Sequence, residues 1–310
     1  MNNNKKYELM PSDKEGLYRV KALKDFNDVK KGDIGGYVEC ESNLSYNGNC
    51  WIYDDAIVYG FARLEDNAVV MDNARIYGNA VVYGKAEIWG NAHVRGIAKV
   101  CDSAHVGGNA IVRDNAIVRD DARIWGHALI QDKAIVRGFA KVGDNVQICD
   151  NAVVRDNAKV CGFARIWGDA EVYSKAEICD DAQIWGKAVI QGYAKVCGNA
   201  QIWGNAVIQD NASVGDRACI YDKAVIQDNV FLMGNAEVCG NAIISSDKDY
   251  IVFKNWWSSG RYFTWTRSNN KWKVGCFHGT GEELVTKAYA DNVEKGIEYK
   301  KIVDYVESII

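Results

Sequence analysis

Residues 56–85 read AIVYGF-ARLEDN-AVVMDN-ARIYGN-AVVYGK, five hexads in register. A small residue, nearly always Ala, opens each hexad, and an aliphatic residue follows two places later. The pattern runs without insertion from Leu44 to Ile244. Self-similarity at a fixed period sets the architecture and is read before any local pattern. In an extended chain, residues two apart share a face, so Ala and the aliphatic residue point the same way, inward. The three residues after them turn a corner. The middle one is Gly or Asp in almost every hexad, with Ser174 an exception, and Asn often follows. Gly, Asn and Asp adopt the left-handed backbone that a tight corner needs. A short strand and a corner, repeated, predict a solenoid.

The first corner residue counts the hexads in a coil. Arg recurs at Arg119, Arg137 and Arg155; Trp at Trp167, Trp185 and Trp203; Cys at Cys161, Cys179 and Cys197. Every interval is 18 residues. Like residues stack when successive coils set them one strand spacing, ~4.8 Å, apart. Three hexads therefore make one triangular coil, and the repeat supplies about 11 coils. The hexad resembles the repeat of left-handed parallel β-helix proteins, many of them acyltransferases. That resemblance implies the left hand.

The chain has 310 residues, enough for a substantial core. A single proline, Pro11, suits an uninterrupted backbone ladder. A net charge of −4 gives no global attraction to nucleic acid or membrane, and neither is expected as a partner. No signal peptide opens the chain, and no run approaches ~20 apolar residues. Most of the ten Cys sit at repeat positions rather than in a disulfide spacing. A reducing cytoplasm is the expected location.

Both ends depart from the repeat. Residues 1–43 form an N-terminal cap, because a solenoid end exposes core and unpaired edges. Gly32, Gly35 and Gly36 supply turns there, and Tyr37 and Trp51 cover the first coil. DFNDVKKGDIGGYV at 25–38 followed by GNCWIYDDA at 48–56 resembles the N-terminus of a bacterial and phage family of hexapeptide-repeat proteins. That family carries a transferase label and no established catalytic residue. Residues 44–246 are the β-helix, and 247–310 a small α+β domain. YIVF, RYFTWT and WKVGCF read as strands, with a hairpin turn at Asn269-Asn270. Thr280 and Glu283 make a capping box opening a helix over 281–290. A last helix is expected from about Ile297, with Ile302, Val303, Val306 and Ile310 on one side. GCFHGTGEELVTKAY at 275–289 resembles a C-terminal module of phage-borne proteins of unknown function.

Candidate functional residues follow from stacking. Arg119, Arg137 and Arg155 share an edge, and Arg123, Lys141 and Lys159 stand four residues on, across the turn. Six cations in about three coils of an acidic chain can hold an anion, although Asp120, Asp144 and Asp156 in the same turns can neutralise them. Trp167, Trp185 and Trp203 form an aromatic edge that binds a ring-shaped ligand or simply fills a corner. Trp256 and Trp257 beside Arg261 make a second candidate surface. One outer face is an apolar stripe: Ile117, Ile135, Val153, Val189, Val207, Val225 and Ile243, interrupted by Glu171. Such stripes mark interfaces, and a homo-oligomer, trimer or dimer, is expected.

The leading reading is a non-catalytic binding or scaffolding protein, phage-encoded, that engages a protein partner or a small anionic ligand and needs no cofactor or metal. One alternative is a hexapeptide-repeat acyltransferase with an inter-subunit active site, using acetyl-CoA and a general base at His93 or His105. Another is a protein that sequesters an anionic metabolite or nucleotide along the basic corner.

Overall fold

In the computed structural model, which describes residues 5–256 and 259–310, each hexad from Cys50 onward is a two-residue strand and a corner. The strands pair in parallel with those 18 residues away. Ile117 lies beside Lys99 and Ile135, Arg123 beside His105 and Lys141, and Ile111 beside His93 and Leu129. Three parallel sheets thus form the sides of the coil, as the 18-residue interval predicts. The backbone ladder follows the same step: the Ile117 amide donates to Ala134 O at 3.0 Å and the Arg119 amide to Val136 O at 3.0 Å. Ala140 and Val142, like nearly all their repeat equivalents, are fully buried, so the interior is a narrow column of Ala, Val and Ile.

The corners explain why Asp alternates with Gly. Asp120, Asp144 and Asp156 sit at φ of 60°, 55° and 61°. Their carboxylates accept from the corner amide of the next coil: Gly138 N to Asp120 at 2.9 Å, Gly162 N to Asp144 at 2.9 Å, and Ser174 N to Asp156 at 3.2 Å. Asp therefore tolerates the left-handed backbone and also satisfies a neighbouring donor.

The chain carries about 12 solenoid turns in two compact units, Met1–Asp180 and Asp181–Ile310. In the first unit the segment before residue 44 joins the solenoid instead of merely lying over it. Tyr7–Pro11, Tyr18–Ala22 and Ile34–Val38 form an antiparallel meander, and Tyr37 and Val38 then pair in parallel with Ile57 and Val58. The glycines of the GDIGGYV stretch permit this close fit. A Cβ on Gly35 would meet Ile52 O at 2.5 Å, and one on Gly36 would meet Ala56 O at 2.5 Å. Trp51 and Tyr37 are buried there, each 2% exposed.

In the second unit the last coil ends under the C-terminal domain. Four antiparallel strands, Tyr250–Lys254, Tyr262–Thr266, Lys271–Val274 and Phe277–Gly279, carry two helices, α1 (Gly281–Asp291) and α2 (Val293–Ile309). The expected WKVGCF strand is broken in two at Gly275, whose φ is +56°. The capping box is present: Thr280 Oγ1 accepts from Glu283 N at 3.2 Å, and Glu283 Oε2 from Thr280 N at 2.7 Å. Helix α2 starts four residues before Ile297, because Asn292 caps it by accepting from Glu294 N and Lys295 N. Ile302, Val303 and Val306 are buried, whereas Ile310 is exposed. The domain also supplies acceptors that a further coil would otherwise provide. Amides of the final strands donate to it: Phe231 to Asp247 at 3.1 Å, Glu237 to Thr264 at 3.0 Å, and Ile243 to Ser268 at 2.7 Å.

Candidate functional site: a cationic ladder

The outer face of one sheet in the first unit carries Glu87, His105, Arg123, Lys141, Lys159 and Glu177 on successive rungs. Like charges directly opposite on paired strands repel and destabilise. Three consecutive cations are therefore a cost to the fold that an anion would relieve. The two ends are closed by carboxylates. Glu87 Oε2 lies 3.2 Å from His105 Nδ1, and Lys159 Nζ donates to Glu177 Oε1 at 2.8 Å. That hydrogen bond raises Lys159 above its ordinary pKa. Among the described residues, Arg123 and Lys141 have no carboxylate within ion-pair distance. Arg123, Lys141 and Lys159 open with Asp121, Phe139 and Asn157 onto one hollow of about 330 Å³.

The edge arginines separate from this group. None of Arg119, Arg137 and Arg155 lines the hollow. Arg155 is engaged, with Asp156 at 3.1 Å, Glu171 at 3.2 Å and its guanidinium 3.8 Å from the centre of the Tyr173 ring. The six cations of the sequence thus divide into an exposed ladder and an edge. All three corner carboxylates reach along the axis to backbone amides, and of them Asp156 also pairs with an edge cation, Arg155.

The aromatic edge lies on a different corner from the arginines. In the second unit Trp185 and Trp203 stack at 4.9 Å and 4°, and Trp203 and Tyr221 at 4.3 Å and 4°. Tyr221 then donates to Glu237 at 3.1 Å. Ring faces are what a sugar or base would stack on, and here the rings cover one another. Trp167 takes the equivalent corner after Arg165–Ile166 in the first unit. Trp256 is exposed with Lys254 Nζ 3.9 Å from its ring centre; Trp257 lies outside the described residues. Arg261 lines a separate hollow of about 430 Å³ with Lys287, Asp291 and Lys295, where Lys295 already pairs with Asp291 at 2.6 Å.

The two candidate bases lie on different sheets. His93 Nδ1 is 3.5 Å from Tyr77 Oη. Burial first, then the charges of Arg75 and Arg95, holds its pKa below the ordinary imidazole value. His105, oriented by Glu87, stands one rung from Arg123. The apolar stripe is present in both units: Ile117, Ile135 and Val153 are half-buried, as are Val189, Val207 and Val225, and Ile243 is 47% exposed.

Sequence reasoning found Arg123, Lys141 and Lys159 but passed over Phe139, whose signal was an apolar side chain at a corner position where Asn is usual.

The repeat, the parallel ladder and the three sheets define a β-solenoid of hexapeptide-repeat type. The profile described as "YdcK Beta solenoid repeat" matches residues 74–86. The chain is also similar to the "Uncharacterized acetyltransferase YdcK" of Escherichia coli (strain K12), with 49% identity over 47 residues. That match covers 15% of this chain and spans only 14% of the E. coli protein's length. Among the described residues no helix is long and apolar enough to cross a membrane.

Proposed function

We propose that the chain is a binding protein that holds a small polyanionic ligand on Arg123, Lys141 and Lys159. The supporting observation is three cations on adjacent rungs around one hollow, two of them with no carboxylate within ion-pair distance among the described residues. A rigid sheet spaces their backbones at one strand separation, ~4.8 Å, so only the side chains need ordering when the site binds. The C-terminal domain is the part we assign to a protein partner. Isothermal titration with inorganic tripolyphosphate at low salt tests the ladder. Lys141→Glu is expected to weaken binding at least tenfold while leaving the melting temperature within a few degrees, since Lys141 is exposed. Unchanged affinity would remove the ladder as the site.

A second reading is acyl transfer. It is favoured by the similarity to a protein named an acetyltransferase and by the Glu87–His105 pair beside Arg123. In that reading the phosphates of acetyl-CoA lie along the ladder and His105 accepts a proton from the acceptor hydroxyl or amine. A rise in melting temperature with acetyl-CoA, together with acetylation of an acceptor that His105→Asn abolishes, would establish it. Neither effect would leave the binding role.

The apolar sheet face is a self-association surface in the same proposal, forming a dimer or trimer. Flat apolar strips of this kind are seldom left bare. Light scattering after size exclusion is expected to show a homo-oligomer that Ile117→Asp with Ile135→Asp dissociates. A monomeric wild type at micromolar concentration would end this idea.

A further inference from the structure

We infer that the ligand of the ladder is a nucleoside di- or triphosphate, with its base on Phe139 and its phosphates on Arg123, Lys141 and Lys159. This rests on the anion-binding reading of the same hollow and adds the chemical class of its occupant. Phe139 is 59% exposed, and no ring contact to it is made among the described residues. Exposure alone does not single it out, since Phe61, Phe163 and Tyr193 stand at equivalent corner positions, 80%, 60% and 61% exposed. What distinguishes Phe139 is its company: it shares a hollow with three cations.

The geometry of that hollow is two parallel columns. One reads Asp121, Phe139, Asn157, and the other Arg123, Lys141, Lys159, each cation two residues after its partner. Phe139 is the last turn residue before strand Lys141–Val142, and two residues of extended chain span at most roughly 6–7 Å, about the width of a ribose. A base on the open face of Phe139 would lie between a carboxylate acceptor on one rung and a carboxamide, both donor and acceptor, on the other. Those groups suit the polar edge of a base, and the Asp121 carboxylate, an acceptor only, has no use in holding inorganic phosphate. The cations repeat at ~4.8 Å, so the row spans two rung steps, a length that a phosphate chain matches. The corner itself is rigid, with the Phe139 amide donating to Asp156 O at 2.6 Å. The ring is therefore held out as a platform at little ordering cost.

The test is isothermal titration of the full chain in low-salt, magnesium-free buffer with ATP, inorganic tripolyphosphate and adenosine. Wild type, Phe139→Ala, Phe139→Trp and Lys141→Glu are compared, with melting curves confirming that each is folded. Stacking of a base on an aromatic ring is expected to make ATP bind about tenfold tighter than tripolyphosphate. Phe139→Ala should erase that difference without changing tripolyphosphate binding, and Phe139→Trp should keep it. Lys141→Glu should weaken both. Equal affinities for ATP and tripolyphosphate, unaffected by Phe139→Ala, would overturn the nucleotide inference and leave the anion site standing. Binding of neither would overturn the anion site itself. ATP binding that survives both Phe139→Ala and Lys141→Glu would place the nucleotide elsewhere and overturn the inference as well.

Discussion

Val142→Asp is expected to destabilise the first unit by ~3–5 kcal/mol, whereas Lys141→Asp, one residue away, should change stability by less than ~1 kcal/mol. The contrast follows from strand alternation. Val142 is fully buried and pairs with Ile124 on one side and Val160 on the other. Around it the column is Ala, Val and Ile, which offer no donor to a carboxylate. An ionised side chain there is desolvated without compensation, and the chain would sooner open than keep it. Lys141 points outward between Arg123 and Lys159, where an acidic residue would relieve repulsion. Ala140→Leu probes the same interior without charge. It should cost ~1–3 kcal/mol, because a narrow column has no void to take the added carbons. Urea melts followed by far-ultraviolet circular dichroism read all three. Equal effects at 141 and 142 would contradict the assignment of inner and outer positions.

Trp272→Ala should unfold the C-terminal domain at a temperature where the repeat of the second unit stays folded. Trp272 is 1% exposed and meets Phe253 and Phe263 edge to face, with ring centres 6.4 Å away in each case. Truncating such a residue costs ~3–5 kcal/mol. A module of about 60 residues has a core too small to absorb a loss of that size. The consequence reaches the last coil. Its Phe231, Glu237 and Ile243 amides would lose Asp247, Thr264 and Ser268 as acceptors. An uncovered strand edge recruits other chains, so the variant should aggregate above its first transition. Tryptophan fluorescence and light scattering during a thermal ramp measure both events. A single transition at the wild-type temperature, without scattering, would show that the domain is not needed as a cap.

The architecture was legible in the sequence because each hexad states its own geometry. Ala56 and Val58, two apart, name the inner face, Gly60 names the corner, and the interval from Arg119 to Arg137 names the coil. These are short-range facts, and repetition turns them into a ladder with one register. The same arithmetic put Arg123, Lys141 and Lys159 in a row and the arginine and tryptophan edges on separate corners. It also opened α1 at Thr280, since a capping box is written within four residues.

Only the tertiary structure decided where long side chains go and how the ends close. Asp120 and Asp144 could have faced the cations; they reach the Gly138 and Gly162 amides instead, because a left-handed corner aims the carboxylate along the axis. Arg155 could have joined the ladder; Glu171 and Tyr173 hold it at the edge. Trp185 and Trp203 could have offered their faces outward; stacking on each other and on Tyr221 uses them. Ile34–Val38 links the N-terminal meander to a solenoid sheet through pairing with a strand about 20 residues away, which no period announces. A repeat fixes the backbone because each copy restates the same constraint. A side chain's partner and a cap's docking depend on neighbours that occur once, and only the folded chain brings them together.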